Sequence, residues 1–340
     1  MTWSDHWDVP FRYVFSGSLT SQMQEYLRAM NDFKPFNVLV SQVDKSGLKQ
    51  AIEWKKNGFA QWSFCDSGAF SVHTGKAQVT QDDYIELITR LNDDFDVFAQ
   101  LDTIPGEFKK AKSAEDYVNS AESSWENFLY MRERVPDKTK IMPVFHFGED
   151  MKYLARMLDY VDSDGDKLDY IGLSPANDAS VQDRMLYLQN MFDFIHASSN
   201  PNVRTHVYGF TSLTAMSKYP CYSADSISHR LLSGYNKLYT QEWGIVSTSI
   251  RSRSTKAKSN LSFLETADDY NIGLLRKELE SLGVTPEFAH KFGKEYDDVL
   301  EWIPNDHNIR VAISMKNIQI LCETKYKYKE SNLTTQKKLF

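Results

Sequence analysis

An apolar run that stops at an aspartate and turns on a glycine occupies residues 64–70: Phe64-Cys65-Asp66-Ser67-Gly68-Ala69-Phe70. Two further apolar runs end in the same way, at Asp102 and at Asp225. In a barrel of parallel strands the carboxyl ends of all strands meet at one face, where side chains from distant parts of the sequence form one site. The repeated aspartate at a strand end therefore predicts a barrel enzyme.

Eight short runs, rich in Val, Ile, Phe and Tyr, predict the strands of this barrel. Most are apolar on both faces, as is typical of a parallel sheet covered by helices. The predicted strands are 36–41, 62–66, 96–102, 141–146, 168–174, 204–210, 221–225 and 244–249.

Helical patterns alternate with these runs, over 81–91, 114–134, 150–161 and 183–196. A strand followed by a helix, repeated about eight times over roughly 250 residues, predicts an α/β protein with a (β/α)8 TIM barrel. A doubly wound open sheet is the alternative, but no Gly-x-Gly-x-x-Gly follows the first predicted strand to support a dinucleotide fold.

The character of the sequence changes after residue 249. Residues 250–262 are mostly polar and basic, and three helical patterns follow, over 267–282, 285–302 and 306–326. We expect residues 1–250 to form the barrel. Residues 251–340 are expected to form a basic loop and a helical extension packed on it.

Composition limits the class of protein. The chain has 340 residues, of which 41% are hydrophobic and 25% are charged, as in ordinary globular proteins. No apolar run approaches the roughly 20 residues needed to span a bilayer, and the first residues lack the profile of a signal peptide. The three cysteines are too far apart for a C-x-x-C zinc pair and are odd in number. We therefore expect a cytoplasmic protein without a membrane partner.

The net charge of −7 excludes a chain that is basic throughout. Phosphate contact needs only a local patch, however, and one basic stretch supplies it. The candidate nucleic-acid-binding residues are Arg251, Arg253, Lys256 and Lys258.

The predicted strand ends bring five polar side chains to one cavity: Asp66, Asp102, His146, Ser174 and Asp225. Two carboxylates in such a cavity can divide the chemistry, because one that stays ionised can attack as a nucleophile while one with a raised pKa transfers a proton. A third carboxylate can accept a hydrogen bond from the N–H edge of a heterocycle.

Six short motifs in this region resemble, in order and spacing, those of the tRNA-guanine transglycosylase superfamily. They are Asp66-Ser67-Gly68-Ala69-Phe70, Leu101-Asp102, Pro143-Val144-Phe145-His146, Ile171-Gly172-Leu173-Ser174, Tyr208-Gly209-Phe210 and Ser223-Ala224-Asp225-Ser226. His146 stands where the family has a base-recognising glutamine. The last motif is most similar to the DNA 7-deazaguanine transglycosylases of phages and bacteria.

The resemblance implies an enzyme that replaces guanine in DNA with a 7-deazaguanine such as preQ0, without a cofactor. Asp225 would attack C1′ of the target nucleoside, and Asp66 would act as the general acid and base. The resemblance also implies a phage-encoded protein that acts in the host cytoplasm, with tRNA as the alternative substrate. The base-binding residues would be Ser67, Gly68, Phe70, Asp102, His146, Gly172, Leu173, Ser174, Tyr208 and Gly209.

The sequence lacks one feature of the family and leaves two other functions to weigh. The zinc site of classical members, three cysteines and a histidine after the nucleophile, is missing, so we expect no metal. A metal-dependent amidohydrolase would need His-x-His after the first strand, and the chain has none. A non-catalytic nucleic-acid-binding barrel subunit is the other alternative, although both Asp66 and Asp225 are present. The sequence does not decide whether the protein forms a homodimer.

Overall fold

The computed structural model describes residues 11–108, 110–176, 179–249 and 262–324. The strands are β1 (Arg12–Ser16), β2 (Phe36–Ser41), β3 (Ala60–Asp66), β4 (Val97–Ala99), β5 (Ile141–Met142), β6 (Val144–His146), β7 (Tyr170–Ser174), β8 (Arg204–Val207), β9 (Ser223–Ser226), β10 (Lys237–Thr240) and β11 (Gly244–Ser247).

Helices separate most of these strands along the chain. They are α1 (Ser21–Ala29), α2 (Lys45–Lys56), α3 (Ala69–His73), α4 (Gln81–Leu91), α5 (Ala114–Arg132), α6 (Met151–Asp159), α7 (Val181–His196), α8 (Leu213–Met216), α9 (Ser228–Gly234), α10 (Phe263–Thr266), α11 (Asp269–Ser281), α12 (Pro286–Lys291), α13 (Val299–Trp302) and α14 (His307–Thr324).

The longer helices between β2 and β8 begin where the sequence supplies a capping side chain. In each, the side-chain oxygen of the residue before the helix accepts a hydrogen bond from a backbone N–H of the first turn, which has no partner within the helix. The capping residues are Asp44, Thr80, Ser113, Asp150 and Ser180.

Nine strands form one parallel sheet in the order β5-β4-β3-β2-β1-β9-β8-β7-β6. The two strands at its ends, β5 and β6, are consecutive in sequence and are separated only by Pro143. Proline has no backbone N–H and interrupts the ladder at this point, while its carbonyl accepts a 2.7 Å hydrogen bond from Gly172 N on β7. The sheet is therefore nearly closed and barrel-like.

Aromatic rings cross the interior of this sheet. Phe64 on β3 and His206 on β8 are separated by three other strands in the sheet order, yet their ring centroids lie 4.8 Å apart. Side chains at alternate positions of a strand point to the same face. Asp66, Tyr208 and the residues in register with them therefore point into the same interior, one layer closer to the carboxyl ends of the strands.

The prediction that residues 244–249 form a barrel strand was wrong. Gly244–Ser247 pairs antiparallel with Lys237–Thr240 in a separate two-stranded sheet. The run that completes the large sheet is Arg12–Ser16, which pairs parallel with β2 on one side and β9 on the other. The sequence analysis did not identify this strand.

The chain divides into two compact units, and the division does not fall at residue 250. The first contains residues 11–18 and 35–226 of the described chain, and the second contains residues 19–34 and 227–324. In the second unit, α14 is buried on all sides from Ile309 to Ile318. Asp306 caps this helix and also accepts hydrogen bonds from the hydroxyl of Tyr26 and the indole N–H of Trp302. Across the described ranges, no helix combines the length and hydropathy needed to cross a bilayer.

Candidate active site

The carboxyl ends of the parallel strands bring four of the predicted site residues together. Asp66 and His146 are the last residues of β3 and β6, Asp225 lies in β9, and Asp102 follows β4 by three residues. His146 Nε2 lies 3.0 Å from Asp102 Oδ2. The negative charges of Asp102 and Asp225 both act on Asp66. Three carboxylates and one imidazole therefore share one cluster.

Asp66 is held at the tip of β3 by the turn that follows it. Its Oδ2 accepts a 3.0 Å hydrogen bond from the backbone N–H of Gly68, which has a φ of +77°. A Cβ atom at Gly68 would lie 2.8 Å from Cγ1 of Val43, so both conformation and space favour glycine here. Burial and the charge of Asp102 raise the pKa of Asp66 to about 7, with a smaller contribution from Asp225. Asp66 can therefore both hold and release a proton near neutral pH.

Asp225 has the opposite character. Its Oδ2 accepts a 2.6 Å hydrogen bond from Ser16 Oγ, while its Oδ1 accepts one of 2.9 Å from Gly209 N and lies 3.3 Å from His206 Nε2. Burial alone would raise the pKa of Asp225, but the hydrogen bond and charge of His206, followed by Ser16 and Gly209, hold it below its usual value. Asp225 is 8% exposed, so it is an ionised carboxylate in a mostly buried setting.

His206 links Asp225 to a second pair of polar groups. Its side chain is fully buried, and its Nδ1 lies 2.6 Å from Ser223 Oγ, which is in turn hydrogen-bonded to the Tyr170 hydroxyl. The sequence analysis did not identify His206. His206 lies in β8 two residues before Tyr208, and this spacing is the signal that could have found it.

Ser223, His206 and Asp225 together resemble a serine-histidine-aspartate triad. In such a triad the serine must reach the substrate. Ser223 is fully buried in β9 and its hydroxyl is bound to Tyr170, whereas the aspartate is the member nearest the strand ends. The arrangement therefore does not support acyl transfer by a serine nucleophile.

Asp102 and His146 form the other half of the cluster. Ser67 Oγ donates a 2.8 Å hydrogen bond to Asp102 Oδ1. The 3.0 Å separation of His146 Nε2 and Asp102 Oδ2 is within ion-pair distance when the imidazole is protonated. Burial alone would lower the pKa of His146, but Asp102 and the nearby charge of Glu149 raise it. Glu149, which the sequence analysis missed, accepts a 2.9 Å hydrogen bond from the backbone N–H of His146.

Tyr208 lies near enough to the cluster for the charges of all three carboxylates to act on it. Burial and the charges of Asp66, Asp102 and Asp225 raise its pKa well above the usual value, so the hydroxyl stays protonated. The ring occupies the space above Gly172, where a Cβ atom would lie 2.8 Å from Cε2 of Tyr208. Gly172 is therefore the residue that allows the tyrosine ring to lie there.

Several buried polar atoms of the first compact unit have no hydrogen-bond partner. Among them are the amide of Gln100, fully buried two residues before Asp102, and the hydroxyl of Tyr208. A buried polar group without a partner costs about 1–3 kcal/mol. Such groups at a strand-end cluster are suited to a polar ligand, and Gln100 is a further candidate that sequence analysis did not identify.

The remaining predicted base-binding residues differ in their setting. Phe70 is 53% exposed, and its ring packs edge-to-face against that of Phe108, 44% exposed, at a centroid distance of 6.1 Å. The Leu173 side chain is fully buried and its carbonyl accepts a hydrogen bond from Tyr208 N. Ser174 ends β7, and its carbonyl accepts one from Phe147 N. The backbone oxygens of Leu173 and Ser174 are thus engaged in the sheet.

No protein-family model matches this chain, and no curated protein matches it either. The resemblance to the transglycosylase superfamily therefore stays a hypothesis. The geometry and charges of the strand-end cluster are the basis on which a function can be proposed.

Two further sequence predictions concern metal binding and phosphate contact. In the described ranges, no group of three or more His, Cys, Asp or Glu side chains could hold a metal ion, and Cys65, Cys221 and Cys322 are buried and free. The expectation of no metal stays a prediction. The candidate phosphate-binding residues Arg251, Arg253, Lys256 and Lys258 lie outside the described residues, and the barrel strand expected to precede them is part of the β10–β11 hairpin instead.

Proposed function

We propose that this protein is a base-exchange transglycosylase that replaces guanine in DNA with a 7-deazaguanine through a covalent aspartyl-sugar intermediate. The observation that carries the proposal is the pair Asp66 and Asp225, two carboxylates of one cluster whose pKa values are displaced in opposite directions. Such a pair supplies both groups that the exchange needs, a proton carrier and a nucleophile.

The architecture of the parallel sheet is part of the same proposal. If the segments β5 and β6 on either side of Pro143 are counted as one strand, the parallel sheet has eight strands, each followed by a helix. We propose that it is a (β/α)8 barrel with the cluster at its carboxyl-terminal mouth, where enzymes of this fold carry their active sites.

In the first half-reaction, an oxygen of Asp225 attacks C1′ and the bond from C1′ to N9 of guanine breaks. The bonding electrons leave with the base, and Asp66 donates a proton to the departing guanine. In the second half-reaction, Asp66 takes the proton from N9 of the incoming base, N9 attacks C1′, and the ester bond to Asp225 breaks. The carboxylate and the protonated acid are then restored, and no redox step occurs.

The other half of the cluster supports recognition of a purine-like base. Asp102 can accept hydrogen bonds from ring and exocyclic N–H groups, and His146, Gln100 and Tyr208 supply further polar atoms near it. The ring of Tyr208 offers a flat surface among the three carboxylates, and Phe70 is exposed enough to stack.

The choice of DNA depends on the resemblance of Ser223-Ala224-Asp225-Ser226 to the DNA-modifying branch. An exchange assay with radiolabelled guanine tests both levels of the proposal. We expect the purified full-length protein to exchange label into DNA, and to place more label in DNA than in tRNA when both polymers are present at equal concentration. Preference for tRNA would overturn the assignment of DNA alone. Absence of labelled guanine from both polymers, together with no incorporation of preQ0 into either, would overturn the transglycosylase.

A further inference from the structure

His206 has a geometry that the proposed reaction does not yet use. Its ring is fully buried, and its two nitrogens face Asp225 Oδ1 at 3.3 Å and Ser223 Oγ at 2.6 Å. The position of the ring is further fixed by edge contacts with Phe64 at 4.8 Å and Tyr208 at 4.6 Å between centroids. A side chain packed in this way has little freedom to rotate.

We propose that His206 is a positioning residue that holds Asp225 in one orientation, with Oδ1 anchored and Oδ2 left as the attacking oxygen. The inference rests on the proposed function, in which Asp225 is the nucleophile. Among the described residues, Oδ1 has two partners, His206 and the backbone N–H of Gly209, whereas Oδ2 has one, the hydroxyl of Ser16, which can rotate.

The Ser223 and Tyr170 hydroxyls orient the imidazole. Because Ser223 Oγ is hydrogen-bonded to Tyr170, the pair fixes the edge of the ring that carries Nδ1. Among the described residues, the titratable groups that face His206 are Asp225 from β9, Tyr170 from β7 and Tyr208 from the turn after β8. The positive charges of Arg12 and Arg204 act on Tyr170, the member of this hydrogen-bonded series that lies farthest from Asp225.

The imidazole beside the nucleophile gives Oδ1 of Asp225 a side-chain hydrogen-bond partner. Replacement of His206 by Gln keeps a neutral donor of similar reach, whereas Phe removes both nitrogens and keeps the planar shape. We therefore expect a graded series. In His206→Phe the formation of the covalent adduct slows by about 10- to 100-fold, the value of one hydrogen bond to a charged group. In His206→Gln and in Ser223→Ala the loss is smaller.

The deciding readout does not depend on activity. Protein labelled with 13C at the aspartate carboxyls is titrated by NMR, and the Asp225 signal is assigned by its loss in Asp225→Asn. We expect the carboxyl of Asp225 to titrate at higher pH in His206→Phe and, by a smaller shift, in His206→Gln. Ser63→Ala is the control, because Ser63 is an equally buried strand serine that bonds Asp94 and Asp96. It should leave the titration unchanged.

The outcomes separate the inference from the proposed function. An Asp225 titration that is unchanged in a folded His206→Phe variant would overturn the role of His206. If that variant does not fold, an unchanged titration in both His206→Gln and Ser223→Ala would overturn it equally. If the titration shifts as expected but wild-type protein forms no adduct with DNA or tRNA, His206 positions Asp225 and the transglycosylase is wrong.

Discussion

Asp66 and Asp225 lie in one cluster of carboxylates, and their pKa values are displaced in opposite directions. Burial and the charge of Asp102 raise the pKa of Asp66 to about 7. The pKa of Asp225 is lowered, because the contacts with His206, Ser16 and Gly209 outweigh the effect of burial. Two like groups with separated pKa values are how one site performs acid and base chemistry at neutral pH. The acid and the nucleophile can therefore be assigned from the surroundings of each group.

Replacement of Asp66 by Asn separates activity from stability. The variant keeps the shape but cannot transfer a proton, so exchange should fall by about 10²- to 10⁴-fold. In the wild type, the folded state binds the proton of Asp66 more tightly than the unfolded state, so the contribution of this group to stability decreases as pH rises from about 4 to about 7. We expect Asp66→Asn to melt at a higher temperature than wild type above pH 7.

Thermal unfolding of the two proteins between about pH 5 and about pH 9 checks this expectation. A stability difference that is independent of pH would contradict the raised pKa of Asp66. Retained exchange in Asp66→Asn would remove it from the mechanism.

The ion pair between His146 and Asp102 should stabilise the protein at low pH. Because the pKa of His146 is raised in the folded state, its contribution is fully present below its unfolded value and is lost as pH rises through the folded value. His146→Gln should therefore destabilise the protein more at about pH 5.5 than at about pH 8.5. Exposed His290, in α12, provides the control variant. Equal destabilisation at both pH values would show that the pair is not ionic.

The space beside Gly172 should be essential to the site. An alanine there would place Cβ 2.8 Å from the Tyr208 ring, which must then move out of the cluster. We expect Gly172→Ala to lose exchange activity while the protein still folds. Gly273 in α11 faces open space, so Gly273→Ala should leave activity unchanged and stabilise the protein by up to about 1 kcal/mol. Activity assays and melting curves of both variants test the contrast, and an active Gly172→Ala would contradict it.

Phe108 should contribute to binding of the polynucleotide beside the target base. It is exposed and packs against Phe70, on the segment that follows Asp102. Stacking of a base on an aromatic ring is worth about 1–3 kcal/mol, so Phe108→Ala should weaken binding of single-stranded DNA by that amount. Tyr270, an exposed aromatic residue in the second compact unit, provides the matched control. Fluorescence anisotropy showing equal affinity for both variants would contradict a role for Phe108.

Sequence patterns could predict most strands of the parallel sheet, because their residues are buried on both faces. Phe36–Ser41 is the clearest example, with its predicted bounds unchanged. The same pattern was misleading at residues 244–249, because Val246 is the one buried residue of the observed strand Gly244–Ser247, which forms half of a hairpin. Arg12–Ser16 was missed because its first and last residues are polar, although the three residues between them are buried.

Sequence analysis could predict the site residues that end strands. It could not predict the residues that join the site through contacts with a neighbouring strand or through a turn. Asp66 and His146 stand at strand ends, so their meeting follows from parallel topology. His206 lies in the middle of the sheet interior, and only the three-dimensional register brings it to Asp225. Glu149 reaches His146 through a turn whose hydrogen bond no sequence period encodes.

The central claim is that Asp225 becomes bonded to the sugar of the target nucleoside. Wild-type protein in excess is incubated with a guanine-containing DNA oligonucleotide in the absence of any 7-deazaguanine, then denatured and measured by intact mass and peptide mapping. We predict a mass increase equal to the oligonucleotide less guanine, located on Asp225 and lost in Asp225→Ala, whose exchange rate falls by about 10⁴-fold or more while DNA binding is retained. An adduct of equal abundance in Asp225→Ala, or exchange that proceeds with no adduct in wild type, would contradict the account.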